Sequence, residues 1–182
     1  MKKLAGILVA LFMAVMMASC GSQSSDESNR EEATDVNFTD IISNIKGQVE
    51  GDLKAEGVEE MSQIFQEVDL TENDDENSGA DIWLAKMTLN PKSLANGTVI
   101  AALMNVNADE IIVLEAKDED QVAELKTSLE NELAAQVQTW EQYLPEQYEK
   151  VKNNKIVTKG KYLLYVTYTN PEAIEKAFND SF

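Results

Sequence analysis

The chain has 182 residues, with 15 Lys and Arg against 33 Asp and Glu, no histidine and a single cysteine, for a formal charge of −18. That balance excludes Ser-His-Asp and Cys-His catalysis, zinc sites built from His and Cys, and any internal disulfide. It also excludes a basic footprint for nucleic acid or for anionic lipid headgroups, so no nucleic-acid partner and no cofactor are expected.

The first segment, residues 1–19, has the three-part layout of a secretory leader. Lys2 and Lys3 form the positive start, Leu4 to Ala18 the apolar stretch, and Ala18 and Ser19 the small residues before Cys20. A membrane-crossing helix needs about 20 apolar residues, and this run is shorter and gives way at once to polar sequence. Met17-Ala18-Ser19-Cys20, followed by Gly21, resembles the lipobox of bacterial lipoproteins, with Met17 where leucine is usual. The resemblance implies transfer of a diacylglyceryl group to the Cys20 thiol, followed by cleavage between Ser19 and Cys20. Two acyl chains of palmitate type contribute about 0.8 kcal/mol per buried CH₂, enough to hold a protein at a membrane without a basic patch. The expected location is the outer face of the cytoplasmic membrane, and loss of the two leader lysines takes the formal charge to about −20.

Residues 20–35 are rich in Ser and Glu and carry no apolar periodicity, which reads as a solvated tether. Some 15 flexible residues span on the order of 20 Å. Residues 36–182 then have the length of a single α+β domain with one hydrophobic core.

Within that domain, Phe38, Ile41, Ile42, Ile45, Val49 and Leu53 follow helical spacing, with Asn37 or Thr39 as N-cap. A second short helix is expected beyond Gly57, with Val58, Met61, Ile64, Phe65 and Val68 on one face. The acidic segment 69–81 departs from the calcium-binding EF-hand loop. Counting from Asp74, the twelfth position, which needs a bidentate glutamate, is Ala85. The segment therefore reads as a solvated loop, and no metal ligands are assigned. "IWLAKMTL", residues 82–89, reads as a strand ending at Asn90 and Pro91.

Residues 98–117 hold two apolar runs joined by a polar turn at Asn105 to Asp109, an antiparallel hairpin whose first run also fits a helix. Asp118 with Gln121 three residues on forms a capping box. It opens a long helix whose stripe is Val122, Leu125, Leu129, Leu133, Val137, Trp140 and Leu144, ending or restarting at Pro145. Residues 155–168 read as a second hairpin turning at Lys159 and Gly160, and Asn170 and Pro171 start a last helix through Ile174, Ala177 and Phe178. The expected architecture is an antiparallel sheet of four or five strands packed against one long helix, with shorter N- and C-terminal helices.

Three stretches, "NADEIIVLEAKD", "QTWEQYLPEQYEKVKN" and "IVTKGKYLLYVTY", resemble in order and spacing the bacterial lipoprotein family catalogued as domain of unknown function 4358, common among Gram-positive anaerobes. The likeness spans roughly residues 38–180 and rests mainly on Tyr-Leu-Pro-Glu-Gln-Tyr ahead of the Gly-Lys-Tyr turn. It implies a surface lipoprotein and carries over no catalytic residue.

Trp140, Tyr143, Glu146 and Tyr148 form the one candidate patch for an envelope protein or glycan, set against the plainer reading that they close the end of the core. The leading expectation is a lipid-anchored, non-enzymatic binding module of the cell envelope. A carboxylate hydrolase of envelope glycans is the alternative, its candidate acids being Glu110, Glu115 and Glu146, since such chemistry needs two acids about 5 to 9 Å apart. Small-ligand capture for a transporter is a third reading, disfavoured by the single small domain.

Overall fold

The computed structural model describes residues 36–71 and 78–182. Cys20, the leader, the tether and the middle of the acidic segment lie outside the described residues. Five strands form one antiparallel sheet in the order β1-β2-β3-β5-β4, from β1 (Phe65–Asp69), β2 (Leu94–Ala102), β3 (Glu110–Ala116), β4 (Lys155–Lys159) and β5 (Tyr162–Thr167). The fold is α+β, as expected.

Both faces of the sheet are covered. On one lie α1 (Phe38–Ala55) and α5 (Pro171–Asn179); on the other lie α2 (Ser78–Met87) and α3 (Val122–Trp140), the latter continued by α4 (Pro145–Lys152). The expectation of one long helix is met only in part, because α1, at 18 residues, nearly equals α3 at 19. Each face has its own apolar cluster. Ile41, Ile45, Val49, Ile174 and Phe178 meet Ile111, Val113, Leu164 and Val166 on the first face. Trp83, Met87, Leu125 and Leu129 meet Val99, Ile112, Leu114 and Leu163 on the second.

Local chemistry explains most of the boundaries. The Asn37 side chain caps α1 by accepting from Thr39 N at 2.9 Å, and Gly57, at φ +85°, ends the segment in the left-handed region. The capping box at Asp118 and Gln121 is formed, with a single 3₁₀ turn leading into α3. Pro145 sits in the first turn of α4, where its missing N–H costs nothing. Gly160, at φ +55°, turns β4 into β5, and Asn170 caps α5 through Ala173 N.

Two sequence expectations are corrected. The second helix is only a 3₁₀ turn at Met61–Gln63, after which β1 pairs with β2 from Phe65↔Ala102 to Asp69↔Thr98. Phe65 and Val68, three apart on a strand, point to opposite faces; because both faces are covered, both are buried and the spacing mimics a helix. The strand expected at residues 82–89 is the helix α2. Ala80, Trp83 and Met87 bury one face while Ile82 stays 65% exposed, a division that period two does not give. The hairpin at β2 and β3 is present, so its first run is a strand.

Gly97 marks a close approach within the sheet. A Cβ there would stand 3.1 Å from Leu70 Cδ1, 3.2 Å from Leu70 Cβ and 3.4 Å from Leu114 Cδ2. Gly97→Ala is expected to cost about 1 to 2 kcal/mol by overpacking, read as a lower urea midpoint with unchanged slope.

Candidate functional site

The densest polar chemistry lies inside the domain, between α2, α3 and the start of β3. Glu132, Gln136 and Trp140 follow one another at intervals of four on α3 and so share a face. Glu110 opens β3 on the side that faces them, and Lys86 reaches in from the last turn of α2. Lys86 Nζ lies 2.5 Å from Glu132 Oε1 and 3.4 Å from Glu110 Oε2, and 4.3 Å from the centre of the Trp83 ring. Gln136 Nε2 donates to both acids, at 2.9 Å to Glu132 Oε1 and 2.9 Å to Glu110 Oε2, while its Oε1 accepts from Trp140 Nε1 at 2.6 Å.

Glu132 is fully buried and Glu110 almost so. Among the described residues, Glu110 Oε1 and Glu132 Oε2 are buried without a hydrogen-bond partner. Burial, and then the neighbouring Glu132 charge, push Glu110 up to about 8, with Lys86 pulling the other way. At neutral pH Glu110 therefore keeps its proton, which removes one negative charge from the cluster. Tyr165 stands on the same face; burial, and then the Glu110 charge, push its phenol up as well.

This arrangement is suited to holding a proton and to joining helices to sheet. A crevice of about 100 Å³ touches it, lined by Gln66, Trp83, Asn107, Glu110, Gln136 and Trp140. Ligand sites usually measure about 300 to 1,000 Å³, so the crevice is smaller than an ordinary one.

The residues singled out from sequence are dispersed. Glu115 lies on the opposite face of β3 from Glu110, since five positions reverse the side. Burial alone would raise Glu115, but hydrogen bonds from Lys161 and Asn96 outweigh it and hold its carboxyl below the ordinary value. Glu146 is exposed in the first turn of α4. The three acids considered for hydrolysis do not meet in one cleft. In the aromatic patch, Trp140 is buried with Ala108, Leu144, Tyr148 and Val151. Tyr143 alone presents its ring to solvent, 5.8 Å from the Trp140 ring centre. The patch is mainly the closed end of the core.

Sequence reading missed Lys86, Glu132 and Gln136. A signal was available: Ser128, Glu132, Gln136 and Trp140 form a row at every fourth position beside Leu125, Leu129 and Leu133, and all four of that row are buried. Among the described residues no group of three or more His, Cys, Asp or Glu side chains is placed to hold a metal ion, and no helix is long and apolar enough to cross a membrane.

The described residues thus form a five-stranded antiparallel α+β domain with helices on both faces, its two clustered acids buried and Lys86 reaching them from the surface. Residues 84–168 match the model of the family described as Domain of unknown function (DUF4358). The match is narrower than residues 38–180. It runs from α2 through β5 and takes in Lys86, Glu110, Glu132, Gln136 and Trp140, leaving α1, β1 and α5 outside. No curated protein and no solved structure matches the chain.

Proposed function

We propose that the protein is a lipoprotein held at the outer face of the cytoplasmic membrane through acylated Cys20, and that its folded domain is a non-enzymatic binding module of the cell envelope. The observation that carries this reading is Met17-Ala18-Ser19-Cys20-Gly21 at the end of an apolar leader, in a chain with no other cysteine. An acidic tether beyond it keeps an acidic domain clear of anionic headgroups by mutual repulsion. Glu110 and Glu115 point to opposite faces of β3 and Glu146 is exposed on α4, an arrangement that favours binding over glycan hydrolysis.

Cys20→Ser tests the anchor. In cells the variant is expected to leave the membrane fraction or to persist at precursor size, and to lose incorporation of an alkyne-tagged palmitate. Unchanged fractionation, size and labelling would remove the anchor from the proposal.

A further inference from the structure

A second cleft, of about 250 Å³, opens at the same end of the sheet as the crevice beside the acid cluster and shares Ala102, Asn107 and Asp109 with it. Its apolar floor is built by Leu53 near the end of α1, Ile64 and Phe65 at the start of β1, Ala102 at the end of β2, and Tyr168 just past β5. Glu56 and Asp109 stand at its edge. Three carboxylates act on one point there: after burial itself, the charges of Asp52, Asp109 and Glu56 are what push the Tyr168 phenol upward. Lys150 lies 2.7 Å from Asp109 and compensates one of them, whereas exposed Glu56 makes no ion pair among the described residues.

The lip of the cleft is also unusual. Leu103, Met104 and Val106, in the turn between β2 and β3, are 53%, 61% and 39% exposed, and they are three of the five large apolar residues left exposed among the described residues. Met104 lines the cleft itself. An unbranched methionine adapts to an incoming surface, and an apolar lip beside a carboxylate edge demands an occupant that is both apolar and cationic. A volume of 250 Å³ is below that of an ordinary small-molecule site and suits one long side chain.

We propose that this cleft receives a single arginine or lysine side chain from an apolar, basic segment of a partner protein. The side-chain methylenes lie along Leu53, Ile64 and Phe65, and the cationic head reaches Tyr168, Glu56 and Asp109. The formal charge of −18 steers such a partner toward the domain from a distance. This rests on the reading of the domain as a binding module and adds to it the place and the chemistry of binding.

The test uses the full chain in nonionic micelles and fluorescein-labelled leucine-rich peptides with one central arginine, or citrulline in its place. The arginine peptide is expected to bind about tenfold more tightly than the citrulline peptide, and Glu56→Gln to weaken it about three- to tenfold while flattening its salt dependence. Equal binding of the two peptides, or no effect of Glu56→Gln, overturns the proposal. So does binding of the Cys20→Ser chain to phosphatidylcholine vesicles that Met104→Asp abolishes, since the lip would then belong to the bilayer. In-cell cross-linking separates the two levels. Partners captured equally by the parent and by Glu56→Gln overturn the cleft and leave the binding module standing. A parent that captures nothing, although the arginine peptide binds, removes the broader reading and keeps the cleft's chemistry.

Discussion

Lys86→Met is expected to lower the stability of the domain by about 3 kcal/mol, the low end of what removing one partner from a buried ion pair costs. Methionine keeps the length and apolar stem of lysine, so packing against Trp83 is largely retained and the lost quantity is charge. Without the ammonium, Glu132 and Glu110 lie buried side by side, with Gln136 Nε2 donating to both and no cation beside them among the described residues. The cost stays at the low end because the Lys86 side chain is 35% exposed, and water takes part in its solvation. Urea unfolding measures the change as a lower midpoint at unchanged slope. Combining Lys86→Met with Glu132→Leu and Glu110→Gln is expected to restore most of the loss, because an apolar or neutral replacement of a buried ionic group is often as stable as the original. A loss below about 1 kcal/mol in the single variant would mean that solvent reaches both carboxylates and that the cluster is not sealed.

The elements with local signals were legible in the sequence; those defined by partners across the sheet were not. Asn37, Asp118, Pro145, Gly160 and Asn170 each act within four residues of themselves, and each marks a boundary that the fold keeps. By contrast, the helix α2 was hidden because a ten-residue apolar segment fits a strand or a helix equally, and only Trp83 and Met87 meeting Leu125 and Leu129 decides between them. The covering of both faces was written in β3, whose Ile111, Ile112, Val113 and Leu114 run without alternation, as happens in a strand buried on two sides. That pattern predicts a second helical layer, and α1 and α5 supply it. The acid cluster was the least legible part. Glu110, Lys86 and Glu132 lie in three elements, and Glu110 was noticed only as one acid among several. What set it apart was a tertiary fact, that α2 and α3 close over it.

The closure has a consequence for pH. The stability of the domain is expected to fall as pH rises from about 4.5 to about 8, the interval between the ordinary value of a glutamate and the raised value of Glu110. Within that window the folded state holds a proton on Glu110 that the unfolded chain has released. Unfolding therefore releases a proton, and the slope approaches about −1.4 kcal/mol per pH unit for this one group. The stabilisation is fully present below the unfolded value and gone above the folded one. The groups that face Glu110 are Lys86 from α2, Glu132 from α3 and Tyr165 from β5. Burial moves the Tyr165 phenol further up, away from the window, and Glu110, raised by its burial and by Glu132, is the source of the slope. Glu115 and Glu172 act in the opposite sense: both are held below the ordinary value, so what they contribute is present at neutral pH and lost in acid. Glu110→Gln isolates the effect, because the amide oxygen still accepts from Gln136 Nε2 while no proton can leave. Urea midpoints measured at half-unit steps from pH 5 to pH 9 are expected to be flatter for Glu110→Gln than for the parent. The two curves should cross, with the variant the more stable above pH 8, where the parent has lost the Glu110 proton and holds a buried carboxylate beside Glu132. Parallel curves would show that Glu110 does not hold the proton at neutral pH.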